Sequence, residues 1–156
     1  MGVSGAGKST IGQCLAKDLG WSLYEGDDFH PKANIEKMAG GIALSDEDRS
    51  AWLTKLAKLI HELRQSAQSA VITCSALKQA YREKLAGDST NIRFVYLRGS
   101  YDLVLERLKK RQGHYMRAGL LKSQFDILEE PEQALTIEIT QEPDVIVRQI
   151  RQALGL

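Results

Sequence analysis

Gly2-Val3-Ser4-Gly5-Ala6-Gly7-Lys8-Ser9 is the stretch whose reading decides the fold. It matches G-x-x-x-x-G-K-[ST] without a gap. Its glycines permit positive φ and let successive backbone N–H groups close around phosphate oxygens. Lys8 sets an ammonium against the β- and γ-phosphates of a nucleotide, and Ser9 offers a hydroxyl to Mg²⁺. Ile11, Cys14, Leu15 and Leu19 follow at helical spacing, with Gly20 in the C′ position. A helix from Lys8 to Leu19 therefore aims its positive end at the same anion. Gly2 to Ser9, together with Thr10, reads as a cradle for ATP. Such a loop follows a buried strand, and a strand takes about five residues, yet only Met1 precedes Gly2 here. The expectation is that the natural chain carries a β-branched apolar run ahead of Met1.

The pattern continues outward from the loop. Trp21 to Glu25 alternates as a short strand, ended by Gly26. Pro31 to Met38 forms a short helix, stopped by Gly40 and Gly41. Ser45 caps a long helix with Asp46, Glu47 and Asp48 in its first turn, where the helix dipole favours anions. Ala70 to Cys74 is a buried strand, Leu77 to Ala86 a helix and Ile92 to Leu97 a strand. Ser100 caps a further helix, Leu120 to Leu128 is helical, Leu135 to Ile139 is the last strand and Pro143 to Leu154 the last helix. Strands alternating with helices specify an α/β fold: a parallel sheet flanked by helices on both faces. One domain spans residues 1–156, with a substrate-binding helical segment about 30–66 and a lid about 107–121.

Composition narrows the function. The chain has 156 residues, 43% hydrophobic and 26% charged, which suits one compact domain with a real core. A formal net charge of +1 lacks the basic excess of a nucleic-acid binder. No apolar run approaches the roughly 20 residues of a membrane span. Cys14 and Cys74 stand far apart without metal-like spacing, and read as reduced core thiols of a cytoplasmic protein.

A second constellation narrows the reaction. Glu25-Gly26-Asp27-Asp28-Phe29-His30-Pro31 places three carboxylates at the end of the second strand. Ligands of an open parallel sheet bind outside the C-terminal strand ends, the edge that also carries the phosphate loop. These acids either face Mg²⁺ and a substrate hydroxyl or form a solvated acidic turn. If extended backbone persists through Gly26, Glu25 and Asp27 share one face. The third strand ends in Cys74-Ser75-Ala76-Leu77-Lys78 without an acid, which shifts the metal role to Ser9 and the second-strand acids. Lys78 and Arg82 either meet an anionic substrate or sit on a basic surface helix. Arg107, Lys109, Lys110, Arg111, Gly113, His114 and Arg117 suit a lid that brings positive charge to the phosphates, or a solvated basic loop.

Taken together, Gly2–Ser9, Gly26–Pro31, Asn34–Met38, Leu44–Arg49, Trp52-Leu53, Cys74–Lys78, Tyr81-Arg82, Gly113-His114 and Ser123-Gln124-Phe125 resemble the bacterial-type gluconokinases over nearly the whole chain. The loop alone is unspecific; the later motifs carry the likeness. The resemblance implies a P-loop kinase fold similar to shikimate and nucleoside monophosphate kinases. It also implies transfer of the γ-phosphoryl of ATP to the 6-hydroxyl of D-gluconate with Mg²⁺, in a cytoplasmic homodimer. Carried over by position, Lys8 and Ser9 serve phosphate and metal, with Glu25 beside the metal. Asp27 approaches the substrate hydroxyl. His30, Arg49, Lys78 and Arg82 hold gluconate, and Arg107 and Arg111 belong to the nucleotide and lid, with Arg111 stabilising the transferred charge. Glu25 stands where the family pattern has Asp, and the strand before the loop is absent. The alternatives are a kinase for another small hydroxy acid such as shikimate, and a non-catalytic nucleotide-dependent switch.

Overall fold

The computed structural model describes residues 1–110 and 118–156. The phosphate loop turns into α1 (Lys8–Leu19) through Gly7, whose φ of 92° lies in the left-handed region. After α1 come β1 (Ser22–Glu25), a 3-10 turn (Gly26–Phe29), α2 (Lys32–Ala39), α3 (Asp46–Gln65) and β2 (Ala70–Thr73). Then follow α4 (Gln79–Ala86), β3 (Val95–Arg98), α5 (Tyr101–Lys110), α6 (Ala118–Asp126), β4 (Leu135–Glu138) and α7 (Pro143–Leu154).

The strands form two parallel pairs. β1 lies beside β2 with Ser22 opposite Ala70, and β3 beside β4 with Val95 opposite Leu135. Met1 and Gly2 stand between the pairs. Met1 N–H donates to Val95 O, Leu97 N–H donates to Met1 O (3.0 Å), and Gly2 N–H donates to Ser75 O (3.1 Å). The backbone that enters the phosphate loop therefore bridges the two halves at their C-terminal edge.

Two hydrophobic clusters flank this line. The first joins the loop (Val3, Ala6) and α1 (Ile11, Leu15) to α5 (Val104, Leu108), α6 (Leu121), β4 and α7 (Ile146, Val147, Ile150). The second joins α3 (Trp52, Leu53, Leu56) to α4 (Tyr81, Leu85) and the turn after β2. The alternation read from sequence is the alternation observed, with boundary shifts such as β3 beginning at Val95 rather than Ile92 and α6 at Ala118 rather than Leu120, and with two differences that bear on the site. The helix expected from Leu77 begins at Gln79, because Ala76 takes a left-handed φ of 43° and Lys78 is extended at the N-cap. Extended backbone does not persist through Gly26, the condition for Glu25 and Asp27 to share a strand face; the strand ends at Glu25 and the acidic segment coils into the 3-10 turn at once.

α3 starts where the sequence places it. Ser45 Oγ accepts from Asp48 N–H (3.1 Å) and Asp48 Oδ2 accepts from Ser45 N–H (2.9 Å), a closed capping box. Such a cap stabilises a helix start by about 1 kcal/mol. Lys37 of α2 also binds the Asp48 carboxylate, at 2.6 Å, so one acid joins both helices of the segment. The Lys37 and Ser45 bonds hold the Asp48 carboxyl down at about 2.

Candidate active site

A cleft open to solvent lies beside the phosphate loop. Ser4 and Lys8 line one side; Asp27, His30 and Arg49 line the other; Ser123 and Gln124 of α6 also border it. Lys8 Nζ donates to Val3 O at 3.0 Å, folded over its own loop. Burial pushes its ammonium below the usual lysine range, against the opposing pull of Asp27 and Glu25. Ser4 N–H donates to Gln124 Oε1 at 2.7 Å, tying the loop to α6.

Asp27 and Glu25 both face Lys8, but not through shared extended backbone. The 3-10 turn brings Asp27 round, and Gly26 makes the turn feasible. A Cβ on Gly26 would stand 2.2 Å from Thr73 O, so the turn packs directly on the β2 backbone. Trp52 Nε1 then donates to Gly26 O at 2.7 Å. A buried indole on α3 thus fixes the peptide that aims Asp27.

Glu25 sits at the base of the turn. Its Oε2 accepts from Ser9 Oγ at 3.0 Å and from Thr73 Oγ1. Its Oε1 is buried with no hydrogen-bond partner among the described residues. A buried acceptor left unpaired beside a loop hydroxyl is costly unless a cation or donor reaches it. Among the described residues no group of three His, Cys, Asp or Glu gathers to cage a metal. Mg²⁺ commonly takes one or two carboxylates and completes its shell with phosphates and water. The Ser9–Glu25 pair fits that mode.

His30 stacks on Trp52, with ring centroids 4.4 Å apart and planes 13° from parallel. Asn34 Nδ2 donates to Asp48 O (2.7 Å), which fixes the orientation of that amide, and also faces His30 Nδ1 at 3.3 Å. Nδ1 therefore accepts, and the proton of the neutral ring is on Nε2. Burial lowers the His30 pKa; Asp27 opposes and Arg49 reinforces the shift. Arg49 anchors Nη1 to Leu44 O at 2.6 Å, lies 5.9 Å from the Tyr81 ring centre and lines the cleft.

Other residues singled out by sequence lie elsewhere. Lys78 is outside the cleft lining and holds the Asp46 carboxylate (2.7 and 2.8 Å), which also accepts from Tyr81. Arg82 is turned inward, 7% exposed, and spends Nη1 on Ala76 O (3.0 Å) and Leu77 O (3.1 Å). Its position braces the left-handed turn whose Ser75 carbonyl holds Gly2. Arg107 donates to Ile139 O at 2.5 Å, joining α5 to the end of β4. Arg111, Gly113, His114 and Arg117 lie outside the described residues. Leu120 and Leu121, at the far boundary of the expected lid, are buried in the core. Sequence reasoning gave Trp52 and Gln124 no individual role, although Trp52-Leu53 and Ser123-Gln124-Phe125 both stand among the stretches that carry the family resemblance.

Comparison with known proteins gives this arrangement its context. A family model described as Shikimate kinase matches residues 4–152. The chain is 44% identical to a gluconokinase of Gluconobacter oxydans over 96% of this chain and 86% of that protein. It is 42% identical to the thermosensitive gluconokinase of Escherichia coli, over 99% of this chain and 84% of that protein. The crystal structure of a gluconokinase from Sinorhizobium meliloti superposes with a TM-score of 0.89 at 39% identity, covering 99% of this chain and 89% of that one. With most of its length matched by that family model and by these relatives, the chain belongs to the gluconokinases, P-loop kinases of the shikimate kinase type.

Proposed function

We propose that the protein transfers the γ-phosphoryl group of ATP to the 6-hydroxyl of D-gluconate, giving ADP and 6-phosphogluconate. The observation that carries the reading is the single cleft in which Lys8 faces Asp27, His30 and Arg49. Loop amides and Lys8 hold the phosphates. Asp27 accepts a hydrogen bond from the attacking hydroxyl and takes its proton as the phosphoryl group leaves ADP. Arg49, which lines the cleft, pairs with the carboxylate of the sugar acid, and neutral His30 donates from Nε2 to a hydroxyl. Ser9 and Glu25 would hold Mg²⁺, which neutralises phosphate charge when bound. Trp52 and Gly26 keep Asp27 in place, and Arg111 is the lid arginine; Arg107, bonded to Ile139 O, and the buried Leu120 and Leu121 belong to the body of the fold. The resemblance to bacterial-type gluconokinases supports a cytoplasmic homodimer.

Lys78 and Arg82 take indirect parts in this reading. Lys78 steadies the α3 start through Asp46, and Arg82 braces the turn after β2. The matching family model bears the name of another hydroxy-acid kinase, so shikimate is the rival acceptor. ADP release measured with gluconate, shikimate, glucose and nucleoside monophosphates tests the assignment. Turnover with gluconate well above the others is expected. Turnover with shikimate alone, or ATP hydrolysis indifferent to any acceptor, overturns it.

A further inference from the structure

Gln124 joins two pieces of the cleft that are far apart in sequence. It projects from α6, 120 residues beyond Ser4, and its Oε1 accepts the Ser4 N–H at 2.7 Å. A backbone N–H only donates, so the side-chain amide cannot be flipped: oxygen faces the loop and Nε2 faces away from it. Both atoms hang from one planar carbon, so Nε2 stays close to the phosphate loop whatever else moves. Gln124 borders the same cleft as Lys8 and Asp27, and no acceptor among the described residues engages Nε2. The helix base beneath it is firm, because Leu121 is fully buried and Ser123 bonds back to Leu120 O at 2.9 Å.

A half-buried amide held this way keeps an N–H donor in the lining of the cleft that Lys8 also borders. In phosphoryl transfer, negative charge spreads over the equatorial oxygens of the moving group, and pre-oriented donors stabilise it without reorganising. We infer that Gln124 is a further residue of the reaction: Oε1 fixes the loop at Ser4, and Nε2 donates to an oxygen of the transferred phosphoryl group. The inference rests on the kinase reading above but not on the identity of the acceptor.

Two substitutions separate contact from mere docking. Gln124→Glu keeps an oxygen acceptor for the Ser4 N–H but replaces the donor with a negative oxygen facing phosphate. Gln124→Ala removes both functions. The readouts are kcat, KM for ATP and for the acceptor, ATP affinity by titration, and the thermal midpoint. The acceptor used is whichever one the ADP-release panel identifies. A wild-type chain that ignores gluconate but phosphorylates another acceptor therefore counts against the substrate reading alone. The expected result is a kcat loss of about 10²-fold in Gln124→Glu, the scale of one lost transition-state donor. Its loss should equal or exceed that of Gln124→Ala, with the thermal midpoint of Gln124→Glu close to wild type. Near-normal kcat in Gln124→Glu beside a depressed Gln124→Ala would reduce Gln124 to a docking residue and overturn the inference. Near-normal kcat in both would overturn it as well.

Discussion

The phosphate loop and the wall opposite it meet in one cleft, yet they are built differently. The loop is contiguous, Gly2 to Ser9, and what it offers a ligand is backbone N–H groups, one lysine and one hydroxyl. Its shape depends on local backbone angles, such as the φ of 92° at Gly7. The wall is assembled from separate stretches: Asp27 and His30 from the turn after β1, Arg49 and Trp52 from α3, and Ser75 from the turn after β2. Its shape depends on tertiary bonds, above all Trp52 Nε1 to Gly26 O. Nucleotide binding and acceptor binding should therefore fail separately, the first through changes in the loop and the second through changes remote in sequence from it.

The largest expected effect tests the loop. Lys8→Ala removes the cation folded over the loop and should lower kcat by about 10³-fold, with the fold preserved by circular dichroism. Its ammonium bonds Val3 O and no apolar core residue depends on that bond. Unchanged turnover would place the nucleotide somewhere other than this loop. Next comes the wall. Asp27→Asn keeps shape and loses the charged acceptor, and kcat should fall by about 10²-fold while ATP affinity holds. Asp28→Asn should be milder, since Asp28 is exposed and is not part of the cleft lining. The reverse order would move the proton acceptor to Asp28.

That contrast also explains what sequence could reveal. The loop and α1 were legible to the residue, because a contiguous motif, a helical repeat and a C-terminal Gly20 are all local signals. The Ser45 capping box was equally local, and α7 kept its expected span for the same reason. The acidic turn was legible as chemistry but not as geometry. Alternation suggested one extended face, whereas the close approach of Gly26 to Thr73 O coils the chain. Arg82 shows the other limit. Its spacing from Lys78 suits a basic surface pair, but the left-handed Ala76 leaves carbonyls that draw the guanidinium inward. Gln124 stood in a stretch that carries the family resemblance, but its bond to the loop became visible only once α6 was folded against the other end of the chain.

A smaller effect sharpens the idea that tertiary bonds hold the wall. Trp52→Phe keeps an aromatic surface for His30 but strands the Gly26 carbonyl. A buried acceptor left unpaired costs about 1–3 kcal/mol, so the thermal midpoint should drop. Misplacing Asp27 should lower kcat/KM for the acceptor about tenfold, while KM for ATP stays near wild type. Equal losses for both substrates would show that the two halves of the cleft are not separable.

The smallest expected effect concerns the proton on His30. Burial against Trp52 lowers its pKa, so the ring is neutral at neutral pH and donates from Nε2. Protonation would also put a hydrogen on Nδ1, where Asn34 Nδ2 already donates. Two donors would then face each other, and the stacked ring would lose its partner. The sign follows from the direction of the shift. A folded-state pKa below the free imidazole value of about 6.5 means that the unfolded chain binds the proton more readily. The contribution of His30 to stability is therefore full above that value and is lost as pH falls through the folded pKa. Acceptor kcat/KM should show a matching acid limb, with its inflection below the ordinary histidine range. His30→Gln retains an N–H donor and cannot titrate. It should keep activity within a few-fold and lose that limb, whereas changes confined to the phosphate loop should leave the limb in place. An unchanged acid limb in His30→Gln would assign the titration to another group in the cleft and remove His30 from the acceptor contacts.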